Sequence, residues 1–238
     1  MNKEMRLRLK ANTDDLNFLA NNDLELDTNI NKFYLKNINN VLKFKDWIPV
    51  NDFNVLAENL YLFEITRTCW KCHKETKCVC IGSNSCFIVE DSSVRHSQDL
   101  MLFSYLKGVP GKLTRYLEHN CNYKFGYSKK INDSYFLNHC SHCGAAQGDY
   151  YLHEYPETSF YASLCYNNAK PLKYAQFLNK YIVPISGRLP CYDEVCYSIS
   201  VMLTHMLSGI ENRASLEISQ SKVNTLLSKA QKTEDIVL

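Results

Sequence analysis

Two Cys-x-x-Cys pairs constrain the fold of this chain more than any other feature: Cys69 with Cys72, and Cys140 with Cys143. Two residues between the cysteines let one tight turn direct both sulfurs at a single ion, while backbone amides of the turn donate to the thiolates. Two such turns complete a tetrahedral four-cysteine site. The sequence therefore predicts one structural Zn²⁺ ion bound by these four cysteines; the alternatives are buried thiols and a redox-active pair.

The long interval between the pairs is unusual, because 67 residues separate Cys72 from Cys140, whereas compact zinc modules have about 15 to 20. We expect the insertion to be folded and to bring its ends together, since the entropy of closing a loop rises only slowly with its length. Zinc binding of roughly 10 kcal/mol would exceed that cost.

Gly144 directly follows the second pair, where a positive φ is often needed, and His73 takes the equivalent place in the first turn.

Cysteine usage also depends on the cellular compartment, and the chain has 11 cysteines. The first ten residues are charged and lack the apolar core of a signal peptide. No stretch approaches the roughly 18 consecutive apolar residues of a membrane-spanning helix. We therefore expect a cytoplasmic protein without a membrane segment, in which thiols stay reduced and closely spaced cysteines act as metal ligands.

The pattern of apolar residues predicts an α+β fold: a small antiparallel sheet resembling a zinc ribbon, an inserted two-helix segment, and a helical C-terminal region. Alternation predicts a strand that runs into Cys69, two short strands at 77–81 and 85–90 joined by a turn at 82–84, and a strand at 134–138. Helical spacing predicts helices at 97–106, after Pro110, from Gly148 to Pro156, at 171–183 and from Asp193 onward. The predicted domains are an irregular or helical N-terminal lobe (1–59), the split zinc-ribbon domain (60–155) and the helical C-terminal region (156–238).

The two cysteine segments, TCWKCHKET at 68–76 and NHCSHCGAAQGDYYLH at 138–153, resemble those of a group of uncharacterised bacterial proteins. In that group a Cys-Trp-Lys-Cys turn and a distant Cys-x-x-Cys-Gly turn form a split zinc ribbon around an inserted region. The similarity covers about residues 60 to 155. It implies metal binding at Cys69, Cys72, Cys140 and Cys143, and it implies no particular activity.

The other cysteines give weaker signals of metal binding. Cys78 and Cys80 alternate on a predicted strand, so their sulfurs face one side, and Cys86 or Cys121 could join them in a second metal site. Buried thiols within a sheet are the commoner explanation. Cys165, Cys191 and Cys196 are expected to pack or to lie on the surface.

A catalytic alternative depends on Asp149 and His153, which would lie one helical turn apart beside the second cysteine pair. A carboxylate next to an imidazole can perform acid and base chemistry. The simpler explanation places Asp149 in the first turn of a helix, where the helix dipole favours a negative charge, and His153 on the surface. A four-cysteine site has no open coordination position, so we assign no catalytic residue.

A binding role has more support in the sequence. Bases and aromatic residues are interleaved in the insertion, and such a mixture can stack against and neutralise a nucleic-acid strand; the candidate contacts are Lys112, Arg115, Lys124, Lys129 and Lys130. The net charge of only +2 argues against a highly basic binding protein. We therefore expect a non-catalytic zinc protein whose surface binds a protein or nucleic acid, with a possible homo-oligomer interface on the C-terminal helices.

Overall fold

The computed structural model of the protein describes residues 6–11, 23–154, 160, 163, 172–178, 181–189 and 230–237. Strands dominate these residues, and their bounds are β1 Arg6–Arg8, β2 Leu24–Asp27, β3 Lys32–Leu35, β4 Val55–Thr68, β5 Glu75–Val89, β6 Val94–Ser97, β7 Met101–Gly108, β8 Tyr123–Ser128, β9 Asp133–His139, β10 Ala146–Gln147, β11 Lys173–Leu178, β12 Tyr181–Arg188, β13 Gln231–Lys232 and β14 Ile236–Val237. The helical segments are a 3₁₀-helix, Ile38–Trp47, an α-helix, Gly111–Asn120, and a π-helical turn, Tyr150–Glu154.

The strands form one 11-stranded mixed sheet and one three-stranded antiparallel sheet. In the large sheet β4 pairs with β5, β5 with β7, β7 with β12, and β12 again with β4, so four strands close into a ring. β11 pairs with the central part of β4, residues 60–64, and β1, β3 and β2 continue outward from β12. The small sheet has the order β10-β9-β8.

The predicted α+β architecture is therefore wrong, because a large mixed sheet takes the place of a small sheet with a helical C-terminal region. The helix predicted at 171–183 is replaced by β11 and the start of β12. β12 contacts β4, β7 and β1 and is buried along most of its length. A strand buried on both faces is a nearly continuous apolar run, which periodicity alone does not distinguish from a helix.

Two smaller predictions in the insertion are also wrong. Residues 101–108 form strand β7 instead of part of a helix, and the first four residues of this strand are buried in succession. β5 continues through 82–84 without a turn. Gly82 serves close packing there, since a Cβ at this position would lie 2.6 Å from the backbone oxygen of Met101. An internal glycine in a strand can mark a close backbone approach as well as a turn.

Other predicted elements are confirmed. β4 runs directly into Cys69, the α-helix Gly111–Asn120 follows Pro110, and β9 includes the strand predicted at 134–138. The helical prediction after Gly148 holds only as the short π-helical turn. The helix predicted from Asp193 onward, with its oligomer interface, lies outside the described residues.

The main hydrophobic core joins the insertion to the large sheet. Leu113 and Leu117 of the α-helix, with Tyr123 and Phe136 of the small sheet, pack in one buried cluster with residues of β4, β5, β7 and β12. Burial of these apolar side chains stabilises the attachment of the small sheet.

Among the helices in the described part of the chain, none is long and apolar enough to cross a membrane.

Candidate metal centre

Both cysteine pairs lie in hairpin turns of the same construction. The first turn joins β4 to β5, and the amide of Cys69 donates to the carbonyl of Lys74 over 2.9 Å. The second joins β9 to β10, and the amide of Cys140 donates to the carbonyl of Ala145, also over 2.9 Å. Each turn thus begins with a buried cysteine at the end of a strand and carries its second cysteine three residues later.

The fifth residue of each turn has a left-handed backbone, which the sequence predicts for Gly144. Gly144 has φ 70° and donates its amide to the carbonyl of Cys140 over 2.9 Å. His73 has φ 58° and makes the equivalent bond to Cys69 over 3.0 Å. Glycine adopts this conformation without steric cost, whereas a side chain adds roughly 1–2 kcal/mol of strain. The first turn therefore keeps the geometry of the second in spite of its histidine.

The four cysteine sulfurs converge on one point. Cys69 Sγ lies 3.7 Å from Cys143 Sγ, and Cys72 Sγ lies 3.7 Å from Cys140 Sγ. All four sulfurs lie within 4.8 Å of one another. Sulfurs bound at about 2.3 Å to one tetrahedral ion would be about 3.8 Å apart. The cluster therefore has the dimensions of a four-thiolate metal site and can hold a metal ion.

Hydrogen bonds to the sulfurs support thiolate ligands. The amide of Lys71 donates to Cys69 Sγ over 3.4 Å, and the amide of His142 donates to Cys140 Sγ over 3.4 Å. Gln147, which is buried, adds a side-chain donor, with Nε2 also 3.4 Å from Cys69 Sγ. Such outer contacts orient ligands and stabilise their charge. Sequence analysis missed Gln147 because only tertiary structure places it against the first turn.

The pKa values of the cysteine thiols show that the four sulfurs interact with one another. Burial raises the pKa of Cys69, but hydrogen bonds from backbone amides and from neighbouring thiols lower it to about 6. The amide of Lys74 lowers the pKa of Cys72, but burial and the neighbouring thiols raise it to about 11. Thiolates this close repel one another. A bound divalent cation would allow all four sulfurs to be ionised together.

Direct contacts also join the two turns to each other. Trp70 Nε1 donates to the carbonyl of Ala146 over 2.7 Å. His142 Nε2 donates to the carbonyl of Glu75 over 2.9 Å, and the amide of Ser141 donates to Thr76 Oγ1 over 3.1 Å. These bonds orient the sulfurs before any metal binds, and preorganisation lowers the entropy lost on binding.

Asn138 provides a further connection across the 67-residue interval. It lies two residues before Cys140 on β9 and is buried. Its Oδ1 accepts from the amide of Val79 over 2.7 Å, and its Nδ2 donates to the carbonyl of the same residue over 2.8 Å. The side chain thus replaces a strand pairing between β5 and β9. The predicted closure of the long insertion is achieved by this bond pair and the shared core.

Among the residues that the structure describes, Cys78, Cys80, Cys86 and Cys121 form no second metal-binding cluster. Within the described residues, the group of Cys69, Cys72, Cys140 and Cys143 is the one set of three or more metal-binding side chains whose ligand atoms meet. Burial raises the pKa of the Cys86 and Cys121 thiols to about 12, as expected for protonated core thiols. Cys165, Cys191 and Cys196 lie outside the described residues.

Asp149 and His153 are both buried, whereas the sequence places His153 on the surface. Asp149 is fully buried, and its Oδ2 accepts from the amide of Tyr105 over 2.7 Å. Tyr105 has φ 45°, a strained conformation for a tyrosine. His153 is also buried, and its ring packs against Phe160 with ring centres 5.3 Å apart.

The surroundings of these two side chains favour their neutral forms. Burial raises the pKa of Asp149 to about 7 and lowers the pKa of His153 to about 3. Asp149 and His153 are not hydrogen-bonded to each other. Within the described residues, Asp149 Oδ1 and both ring nitrogens of His153 have no hydrogen-bond partner. The contacts therefore support a role in packing and in holding the backbone of β7, and they do not assemble an acid–base pair.

The predicted nucleic-acid contacts are divided among three elements. Lys112 and Arg115 are exposed on the α-helix, Lys124 is exposed on β8, and Lys129 and Lys130 lie in the turn between β8 and β9. Lys130 makes cation–π contacts, because its ammonium lies over two tyrosine rings. Contact of the five residues with nucleic acid stays a prediction.

Comparison of the chain with protein-family models, curated proteins and solved structures finds no match. The resemblance to bacterial split zinc-ribbon proteins therefore stays a prediction. The protein contains a four-cysteine cluster, built from two equivalent turns, that can hold a metal ion.

Proposed function

We propose that the protein is a non-catalytic, cytoplasmic zinc protein in which one structural Zn²⁺ fixes two hairpin turns and supports an interaction surface. The observation that carries the proposal is the convergence of four sulfurs, with 3.7 Å between Cys69 and Cys143 and between Cys72 and Cys140. These sulfurs would complete a tetrahedral coordination shell. No ligand position is then left for water or substrate, which is characteristic of structural zinc and unlike catalytic zinc.

The donor set supports zinc in particular. Soft thiolates in tetrahedral arrangement favour zinc or iron over magnesium and calcium, which prefer oxygen ligands. Zinc has no redox chemistry, so it suits a site whose role is to hold chain segments together. The metal would link β4–β5 to β9–β10, two hairpins that are far apart in sequence and whose turns already contact each other.

We predict that the purified protein contains about one zinc per chain and that a Cys72→Ser/Cys143→Ser double variant loses it. These two cysteines lie nearer the surface than Cys69 and Cys140, so their replacement removes ligands with less disturbance of the core. Elemental analysis after dialysis measures the metal. The matched control is Cys121→Ser, which removes a partly buried thiol outside the cluster and should leave the zinc content unchanged. A zinc-free wild type, or a double variant that keeps its zinc, would contradict the proposal.

A further inference from the structure

The metal centre is bordered by an exposed group of aromatic and basic side chains, which we call the aromatic–basic patch: Trp70, Lys130, Tyr150 and Tyr151. Trp70 is 66% exposed, Tyr150 44% and Tyr151 46%. Three large aromatic side chains that stay accessible next to a rigid site are unusual, because such side chains are normally favoured in the core. Exposed aromatic groups of this kind mark interaction sites more often than isolated apolar residues do.

Contacts within the patch hold its two tyrosine rings in position. Lys130 Nζ lies 5.3 Å from the ring centre of Tyr150 and 4.8 Å from that of Tyr151. The two tyrosine rings meet edge to face with centres 5.2 Å apart. Lys130 Nζ also lies 3.4 Å from the hydroxyl of Tyr151. A cation over aromatic faces within about 6 Å is a stabilising arrangement. The patch therefore combines a positive charge with π surfaces whose orientation is set.

The metal-site turns position this patch. Trp70 lies inside the first cysteine turn and is bonded to Ala146 at the end of the second. Arg67, at the end of β4, donates to the carbonyl of Tyr151 over 2.8 Å. The segment 67–70 therefore runs beside the segment 146–151, with contacts at both ends. Loss of the metal would weaken the link between the first turn, which carries Trp70, and the segment that leads to the tyrosines.

The charges around the patch favour an anionic partner. The nearby carboxylate of Asp133 is paired with Lys107 at 2.7 Å, and that of Glu154 is paired with Arg188 at 3.1 Å. By contrast, no carboxylate of the described residues forms an ion pair with Lys129 or Lys130. The turn between β8 and β9 thus presents the charge of Lys130 beside the tyrosine rings, and the exposed Lys129 precedes it in the same turn.

We infer that the aromatic–basic patch binds single-stranded nucleic acid, with bases stacked on Trp70, Tyr150 and Tyr151 and phosphates near Lys129 and Lys130. Stacking contributes about 1–3 kcal/mol per base and works without a large net charge, because every base has a π face. Duplex DNA hides these faces within its stack. This inference rests on the proposed function, since zinc would hold the two halves of the patch together.

The test uses the zinc-loaded full chain and fluorescence anisotropy of labelled single-stranded oligonucleotides, oligo-dT and oligo-rU, at low and physiological salt. We expect binding that weakens as salt increases. Tyr151→Ala should weaken it about tenfold, within the range given by stacking of one base. Lys130→Gln should weaken it and reduce its salt dependence. Quenching of Trp70 fluorescence should accompany binding and be absent in Trp70→Phe.

Lys45→Gln is the matched control for Lys130→Gln, because it removes the same charge from an exposed position on the 3₁₀-helix, outside the predicted nucleic-acid contacts. It should bind as the wild type does. The inference is overturned if the zinc-loaded wild type binds neither oligonucleotide at low salt, or if Lys45→Gln weakens binding as much as Lys130→Gln. Competition by a poly-glutamate peptide as effective as that by unlabelled oligo-dT would also overturn it. Zinc content is measured for each variant, so a failure of binding with zinc retained leaves the proposed structural site standing.

Discussion

A variant that lacks both buried ligands, Cys69→Ser/Cys140→Ser, is expected to be unfolded at 25 °C and to show no cooperative unfolding transition on heating. Each of these cysteines begins one of the two turns and is buried, at 0% and 1% exposure. Zinc binding in four-thiolate sites contributes about 10–16 kcal/mol, whereas the net stability of a domain is about 5–15 kcal/mol. Loss of the metal would therefore remove a term as large as the whole free energy of unfolding.

Thermal unfolding followed by circular dichroism measures this effect. A chelator added to the wild type should lower the melting temperature, and added zinc should restore it. Cys121→Ser, outside the cluster, is expected to melt close to the wild type. If the double variant and the chelated wild type both melted at the temperature of the untreated wild type, the metal would have no structural role.

Asp149→Asn is expected to stabilise the protein at neutral pH. Burial raises the pKa of Asp149 from 3.8 to about 7, so the folded state holds a proton that the unfolded state loses above about pH 4. The folded state binds more protons between these values, and the free energy of unfolding falls as pH rises through that interval. The full shift corresponds to about 4 kcal/mol at pH 7 and above. Asparagine has no charge to bury and can still accept the Tyr105 amide through its oxygen.

The measurement is the difference in unfolding free energy between Asp149→Asn and wild type, in zinc-containing buffer at several pH values. The difference should grow in favour of the variant as pH rises from about 5 to 7 and should level off above that range. Asp133→Asn is the matched control: the pKa of Asp133 is lowered by its hydrogen bond with Lys107, so this variant should show no such gain. A variant that is less stable than wild type at pH 7 would contradict the prediction.

Local chemistry made the four-cysteine cluster predictable from the sequence. The spacing of two residues between cysteines, a strand before each pair and Gly144 after the second all act within about six residues, and the structure builds each turn from those residues. The outer contacts are different. Gln147 and Asn138 act on partners in other hairpins, and no pattern of neighbouring residues indicates where their side chains point.

The large sheet was less predictable, for a physical reason. Strands such as β7 and β12 are buried on both faces, so they lack the alternation of polar and apolar residues that marks a half-buried strand. Their apolar residues then also match helical spacing. Pairing with distant strands, such as β12 with both β4 and β7, decides the conformation. His153 was misplaced similarly, because Phe160 and the packing around the π-helical turn bury it.

A bound Zn²⁺ would also change the charge of the molecule. Four thiolates with one Zn²⁺ carry a net charge of −2, which offsets the formal +2 of the sequence. Long-range attraction of nucleic acid to the whole protein would therefore be weak. Any such binding depends on the local arrangement of Lys129, Lys130 and the exposed rings, which makes substitutions in the aromatic–basic patch more informative than changes in total charge.

X-ray absorption spectroscopy at the zinc edge tests the central claim most directly, because it reports the atoms bound to the metal in the intact protein. The account predicts four sulfur atoms at about 2.3 Å from each zinc and no nitrogen or oxygen ligand. Fewer than four sulfurs, or a nitrogen or oxygen neighbour at about 2.0–2.1 Å, would contradict a closed site formed by Cys69, Cys72, Cys140 and Cys143.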